Sequence, residues 1–139
     1  MISRDVFIQK LNKSLEWEYA AAIQYIQHAP LMTGPQYDAI AKELVVHANE
    51  EIAHAIVVAQ MIADLGGVPS VDVEKRETSS DSKTMLEQDL AGEELAITLY
   101  KELIKIAEEL GENGYRRQLK NILMDEEEHR RDLISSLGK

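Results

Sequence analysis

Glu18 is followed 33 positions later by Glu51, and Glu51 three positions later by His54. Glu93 is followed 33 positions later by Glu126, and Glu126 three positions later by His129. The same spacing of acid, acid and imidazole thus occurs twice, 75 residues apart. That offset also lays Leu11 on Leu86, Leu15 on Leu90, Ala21 on Ala96, Tyr25 on Tyr100 and Leu44 on Leu119. One Glu from each of two helices, plus a Glu-x-x-His from each of two others, is a donor set that holds a pair of divalent cations inside a bundle. Two such cations cancel four carboxylates and leave both imidazoles neutral. Without them, each buried carboxylate would cost several kcal/mol or take up a proton. Carboxylate oxygens with imidazole suit iron; manganese fits the same preference, and zinc can occupy such a site.

A single Glu-x-x-His in an acidic helical chain is weak evidence. Two copies, each at equal distance from a further glutamate, are specific. The competing reading is a polar layer held by Glu–His hydrogen bonds, and it leaves too many acids for two imidazoles.

Period and punctuation predict four long helices and no strands. The first opens at Ser3 as N-cap and runs to about His28, ahead of Pro30 and the Gly34-Pro35 turn. The second runs from about Gln36 to Leu65, before Gly66-Gly67. The third starts within Ser79–Thr84, where Thr84 and Glu87 suggest a capping box, and ends near Gly111. The fourth reaches about Leu137. Two hairpins, 3–65 and 82–137, make one domain over 1–139. The connector between them is long and polar, and one long crossover in a four-helix bundle defines the ferritin-like topology. The expected class is therefore all-α.

Spacings of three and four residues mark each buried stripe. They read Leu11, Leu15, Glu18, Ala22, Tyr25; Leu44, His47, Glu51, His54, Val58; Leu86, Leu90, Glu93, Ile97, Tyr100; and Leu119, Ile122, Glu126, His129, Leu133. Each carries its acid near mid-helix. Glu94, Glu127 and Glu128 fall on polar faces. Glu50 reaches the same side as His54, but the spacing to His54 selects Glu51. Tyr25 and Tyr100, two turns after Glu18 and Glu93, are candidate catalytic residues that either orient a ligand carboxylate or serve as core aromatics. His47 is an extra ligand, a proton relay or a core histidine. His28 reads as a surface residue and Trp17 as packing.

With 139 residues the chain can bury one substantial core. Its 25 acidic against 15 basic residues, a net charge of -10, argue against nucleic acid or an anionic membrane as partner. The absence of cysteine excludes disulfides, cysteine-ligated zinc or iron and iron–sulfur clusters. No apolar run is long enough for a membrane span, and charges at Arg4, Asp5 and Lys10 break any signal peptide, so a cytoplasmic location is expected. A second apolar face, Tyr19, Ile23 and Ile26 on the first helix with Val45, Ile52, Ile56, Ala59 and Ala63 on the second, predicts a homodimer through these helices.

At these residues the chain resembles the ferritin-like superfamily, and most of all the bacterioferritins. The likeness runs through Leu11-Asn12-Lys13, Glu18, Ala21, Gln24 and Tyr25, then Glu51-x-x-His54, Asp89-Leu90-Ala91 with Glu93, and Asp125-Glu126-Glu127 with His129. It implies a ferroxidase serving iron storage or detoxification, with two iron ions per chain oxidised by dioxygen or peroxide. It also implies that Glu51 and Glu126 bridge the ions, while Glu18 with His54 and Glu93 with His129 each complete one. Tyr25 would lie close to the centre.

Three positions depart from the bacterioferritin pattern. Where those proteins place a haem-ligating methionine this chain has Ile52, so no haem is expected. Val46 and Asn49 lack polar groups that bacterioferritins direct toward their cavity. Lys139 directly follows the fourth helix, without the short fifth helix of large cages, so the dimer is the expected minimum and a larger cage the alternative. A second resemblance is to the erythrins, which reduce peroxide, but Ala96 stands where those carry an extra glutamate. Mini-ferritins that protect DNA are less similar, since first-helix histidines of their kind are absent. A di-metal protein without a storage role is the remaining alternative.

Overall fold

The computed structural model describes residues 3–139, and these form four long helices joined by two short links and one long crossover. Helix α1 spans Arg4–His28, α2 Asp38–Asp64, α3 Ser82–Glu109 and α4 Asn113–Ser136. Ser3 opens α1, its side chain accepting from the Val6 N–H at 3.2 Å. Two single turns of 3-10 helix, Ala29–Leu31 and Pro35–Tyr37, carry the chain from α1 into α2, each with a proline in its first turn. Proline fits there because the first N–H groups of a helix have no internal partner.

Helix α2 ends at Gly66, whose φ of 92° lies in the left-handed region that glycine enters without steric cost. The Gly67 N–H then donates to Ile62 O and the Gly66 N–H to Ala63 O, closing off the terminal carbonyls. Helix α3 ends the same way at Gly111. At its start, the structure corrects the expected capping box. The cap is Asp81, whose carboxylate accepts from both the backbone N–H and the hydroxyl of Thr84 at 2.9 and 2.7 Å. A carboxylate at a helix N-terminus also meets the positive end of the helix dipole, which a threonine hydroxyl does not exploit.

Helices α1 and α2 pack as one hairpin and α3 and α4 as another, with α1 against α3 and α2 against α4 closing the bundle. Residues 66–81 cross between the hairpins along α1. Asn12 bonds Val68 O and the Ser70 N–H, Tyr19 donates to Ser70 O, and Gln24 donates to Glu77 O. Arg76 lies over the Trp17 ring and bonds Gln24, so Trp17 packs beneath the crossover. The guanidinium also fills the space above Gly92, where a Cβ would fall 1.9 Å from it.

The apolar interior is split in two. One cluster joins Phe7, Leu11, Leu15, Val58, Met61, Ile62, Leu103 and Leu119; the other joins Leu44, Ala48, Leu86 and Leu133 around Tyr25. The polar stripe centres lie between them. Among the described residues no helix is long and apolar enough to cross a membrane.

Asp81→Ala should lower the melting temperature by a few degrees, the usual effect of losing an N-cap, whereas Thr84→Ala should cost less because the backbone donor remains. Thermal unfolding followed by circular dichroism checks this; equal losses, or a larger one for Thr84→Ala, would contradict the assigned cap.

Candidate metal centre

Mid-helix positions on all four stripes converge on one point. Glu18, Glu51, His54, Glu93, Glu126 and His129 are each between 0 and 4 % exposed. The Nδ1 atom of His54 lies 3.6 Å from Glu18, 3.1 Å from Glu51 and 3.2 Å from Glu126. The Nδ1 atom of His129 lies 3.4 Å from Glu93, 3.5 Å from Glu51 and 3.4 Å from Glu126. Glu51 and Glu126 therefore face both imidazoles, whereas Glu18 faces only His54 and Glu93 only His129. Donors about 2.1 Å from a common cation stand roughly 3.0–3.4 Å from one another. The observed spacings fit that arrangement better than the 2.7–2.9 Å of a charge-assisted hydrogen bond.

Orphaned atoms point the same way. Glu18 Oε2, Glu51 Oε1, Glu93 Oε2, both oxygens of Glu126, and Nδ1 of His54 and His129 are buried without a hydrogen-bond partner. Buried polar atoms are nearly always satisfied, and here seven unsatisfied ones gather on these six side chains. These donors fit two divalent cations, grouping as Glu18, Glu51, His54, Glu126 and as Glu51, Glu93, Glu126, His129.

The surrounding bonds orient these donors, and each crosses from one half of the chain to the other. Tyr25 donates to Glu93 at 2.7 Å and Tyr100 to Glu18 at 2.8 Å. Burial, reinforced by Glu93 beside Tyr25 and Glu18 beside Tyr100, raises both phenols well above their ordinary pKa, so both remain donors. The outer nitrogen of His54 pairs with Asp125 at 2.8 Å and that of His129 with Glu50 at 3.0 Å. An Nε2–H donated to an acid leaves the Nδ1 lone pair free toward a metal. Glu50 and Asp125 are themselves 75 residues apart. That relation is present in the sequence, where Glu50 stands as a competitor of Glu51 and Asp125 enters only through the family likeness.

Two histidines differ from expectation or extend it. His28, expected at the surface, is fully buried, with Nδ1 2.9 Å from Asp89 of α3. The signal was its spacing of three from Tyr25, which continues the buried stripe to the end of α1. His47 is also buried; it stacks on His129 with ring centres 4.1 Å apart and meets the edge of Tyr25. It is not among the donors of the pair.

Without metal, the pocket stores protons. Burial, then the charge of Glu126, pushes Glu18 up to about 7 and Glu93 up to about 8, and burial with neighbouring carboxylates raises Glu51 well above its ordinary range. Burial alone would lower the imidazoles, but the carboxylates that face them, Glu126 with Glu18 for His54 and Glu126 with Glu93 for His129, push both up to about 11. Burial would likewise raise Glu126, yet the two imidazoles facing it hold it well below the usual carboxylate range. The raised groups bind more protons folded than unfolded, so their stabilisation is full below their unfolded values and is lost as pH rises through the folded ones. Glu126 acts oppositely, and only in strong acid.

Between about pH 5 and pH 9, the metal-free protein should therefore become less stable to urea as pH rises. Binding of manganese(II) should release protons, at least one from each imidazolium. A pH-indicator titration in weak buffer checks this, and metal uptake without proton release would contradict it.

A family described as a ferritin-like domain matches residues 8–139. A bacterioferritin of Brucella melitensis is 31% identical over 95% of this chain and 86% of its own length. Among solved structures, a ferritin-like diiron-carboxylate protein of Bacillus anthracis superimposes with a TM-score of 0.94 at 26% identity, covering 99% of each chain. A dodecameric thioferritin of Bacteroides fragilis, described as bacterioferritin-related, gives 0.91 at 30% identity over 99% of this chain and 87% of that one. With its buried Glu-x-x-His repeat on four helices in this order, the chain belongs to the ferritin-like family and is related to the bacterioferritins.

Proposed function

We propose that the chain is a ferroxidase: it takes two iron(II) ions as substrate between the hairpins and oxidises them with dioxygen or peroxide, in iron storage or detoxification. One observation carries this reading. Both imidazole Nδ1 atoms face the same two carboxylates, Glu51 and Glu126, while Glu18 and Glu93 each face only one. That is the arrangement for two ions sharing two bridging ligands, and paired iron ions supply the electrons that reduce the oxidant. The protein's own residues do the positioning. Tyr25 and Tyr100 hold Glu93 and Glu18, Glu50 and Asp125 fix the imidazole tautomers, and the apolar clusters on either side limit access of water. We assign Tyr25 and Tyr100 this orienting role in place of direct contact with substrate.

Ala96 lines a narrow crevice with Glu18, Glu51 and Tyr100 and contributes only a methyl group to it. An additional carboxylate there would mark the erythrin-like peroxide reductase, so its absence favours iron(II) as the substrate consumed. Replacing Glu51 and Glu126 together by Ala should abolish rapid aerobic iron(II) oxidation while preserving helical circular dichroism. Oxidation at the wild-type rate in this variant would overturn the assignment, and sustained peroxide turnover with oxidation halting at two irons per chain would favour the reductase.

The chain is also proposed to pair with a second copy through α1 and α2. Ile23, Ile26, Val45, Ile52 and Ile56 are exposed on adjoining faces of these helices, beside grooves lined by Ala29, Ala41, Ala55 and Ala59. Ile52 offers hydrocarbon alone at the centre of this face, so a symmetric haem between two copies would find no ligand there. Ile52→Glu with Ile56→Glu should give monomer or insoluble protein; a wild type that is monomeric by light scattering at micromolar concentration would contradict the interface.

A further inference from the structure

Ala21 of α1 and Ala96 of α3 line one crevice between these helices, and Gly92, one turn before Ala96, widens it. At its inner end are Glu18 and Glu51 of the dinuclear centre, 2 % and 1 % exposed. Trp17, Arg76 and Gly92 line it as well, and the same three residues line an open hollow on the surface. The crevice thus leads from that hollow to two of the six donors. Its free volume is about 10 Å³, about the room that one water needs. We propose that this crevice is the entry path of a small uncharged oxidant, dioxygen or hydrogen peroxide, with Arg76 as its lid and its barrier to cations.

Three observations support it. First, Arg76 closes the crevice without being locked in place. Its guanidinium occupies the space above Gly92, where no Cβ would fit, and lies over the Trp17 ring. Nε and Nη2 both donate to one neutral acceptor, Gln24 Oε1, and among the described residues no carboxylate lies within 4.0 Å of the guanidinium. Displacing this lid breaks bonds to a single amide and no ion pair. Arg76 also belongs to the crossover, outside all four helices, so its movement disturbs none of them. Second, Ser14 lines the crevice, is 2 % exposed, and its hydroxyl has no hydrogen-bond partner. Buried hydroxyls are nearly always satisfied, so this one is a free donor for a small guest that presents oxygen. Third, the outer hollow is lined by Lys75 and Arg76 against one acid, Glu77, in a chain of 25 acidic and 15 basic residues. A hydrated iron(II) ion meets a guanidinium at this mouth and is repelled, whereas dioxygen and peroxide carry no charge.

The small side chains keep the path open, and the guanidinium keeps it selective. Cations therefore reach the centre by another route, and the oxidant arrives at Glu18 and Glu51 only when Arg76 swings away from Gly92. A lid that must open before entry lowers the rate of entry. Delivery of an oxidant rests on the ferroxidase reading; the crevice and its lid do not, because neither Arg76, Gly92 nor Ala96 is a metal donor.

Krypton, hydrogen peroxide and cobalt(II) are the probes. In crystals pressurised with krypton, an apolar stand-in for dioxygen, Arg76→Ala should show an anomalous peak between Ala21 and Ala96 that the wild type lacks. In stopped flow, protein loaded anaerobically with iron(II) should be oxidised by peroxide with a second-order rate constant several-fold higher in Arg76→Ala. The constant should fall roughly tenfold in Ala96→Leu, whose side chain fills the crevice. Cobalt(II) uptake, read from its visible absorption, should keep the wild-type rate and stoichiometry in both variants, because cations enter elsewhere and the centre is intact. Should Ala96→Leu fail to bind cobalt(II), Arg76→Ala alone decides. Cobalt uptake slowed as much as oxidation in Ala96→Leu would overturn the barrier to cations. No krypton peak in either protein, equal peaks in both, or peroxide rate constants unchanged in both variants would overturn the path. A wild type that binds cobalt(II) but oxidises no iron(II) would sink the ferroxidase reading alone, and the krypton result would then decide on the lid.

Discussion

Four carboxylates meet at the centre of this bundle with the imidazoles of His54 and His129 as the basic groups between them, and that charge must be neutralised for the helices to close. An uncompensated buried carboxylate costs several kcal/mol, against a total stability of about 5–15 kcal/mol for a domain of ordinary size. In the metal-free state the cost is met by protonation: Glu18, Glu51 and Glu93 are driven to bind protons, and the imidazoles share theirs with Glu126. The arrangement still leaves oxygens and both Nδ1 atoms without partners. A pair of divalent cations removes the charge problem and the orphaned atoms together. Placing the two apolar clusters on opposite sides of the polar layer supplies the burial that offsets whatever cost remains.

The repeat makes each half of the chain incomplete alone. Tyr25 of the first half holds Glu93 of the second, and Tyr100 of the second holds Glu18 of the first. Asp125 fixes His54 and Glu50 fixes His129 by the same exchange. Folding of the two hairpins against each other is therefore the same event as assembly of the centre. The crossover follows from this requirement. It must carry the chain along α1 so that α3 lies beside it, and Asn12, Tyr19 and Gln24 provide the rungs.

Much of this was legible because the buried stripes and the 75-residue offset are one-dimensional patterns. Helical period put Glu18, Glu51, Glu93 and Glu126 on inward faces, and equal spacing chose Glu51 over Glu50. Partners across helices were not legible, since they depend on rotation and vertical shift between helices that no single stripe encodes. Thus Tyr25 could be placed near the centre but not bonded to Glu93, and His47 could not be matched with Asp132. His28 was misread because the end of a helix suggests solvent, whereas the Pro30 turn keeps that end docked against Asp89. The start of α3 was misread for a local reason. Asp81 and Thr84 can both cap, and only geometry shows that one serves the other.

The most direct test is the position of metal in crystals grown with manganese(II), read from anomalous scattering. Two peaks should appear between the hairpins, one within bonding distance of His54 Nδ1 and Glu18 and the other of His129 Nδ1 and Glu93, both flanked by Glu51 and Glu126. A single peak, or none, among these six side chains would contradict the account.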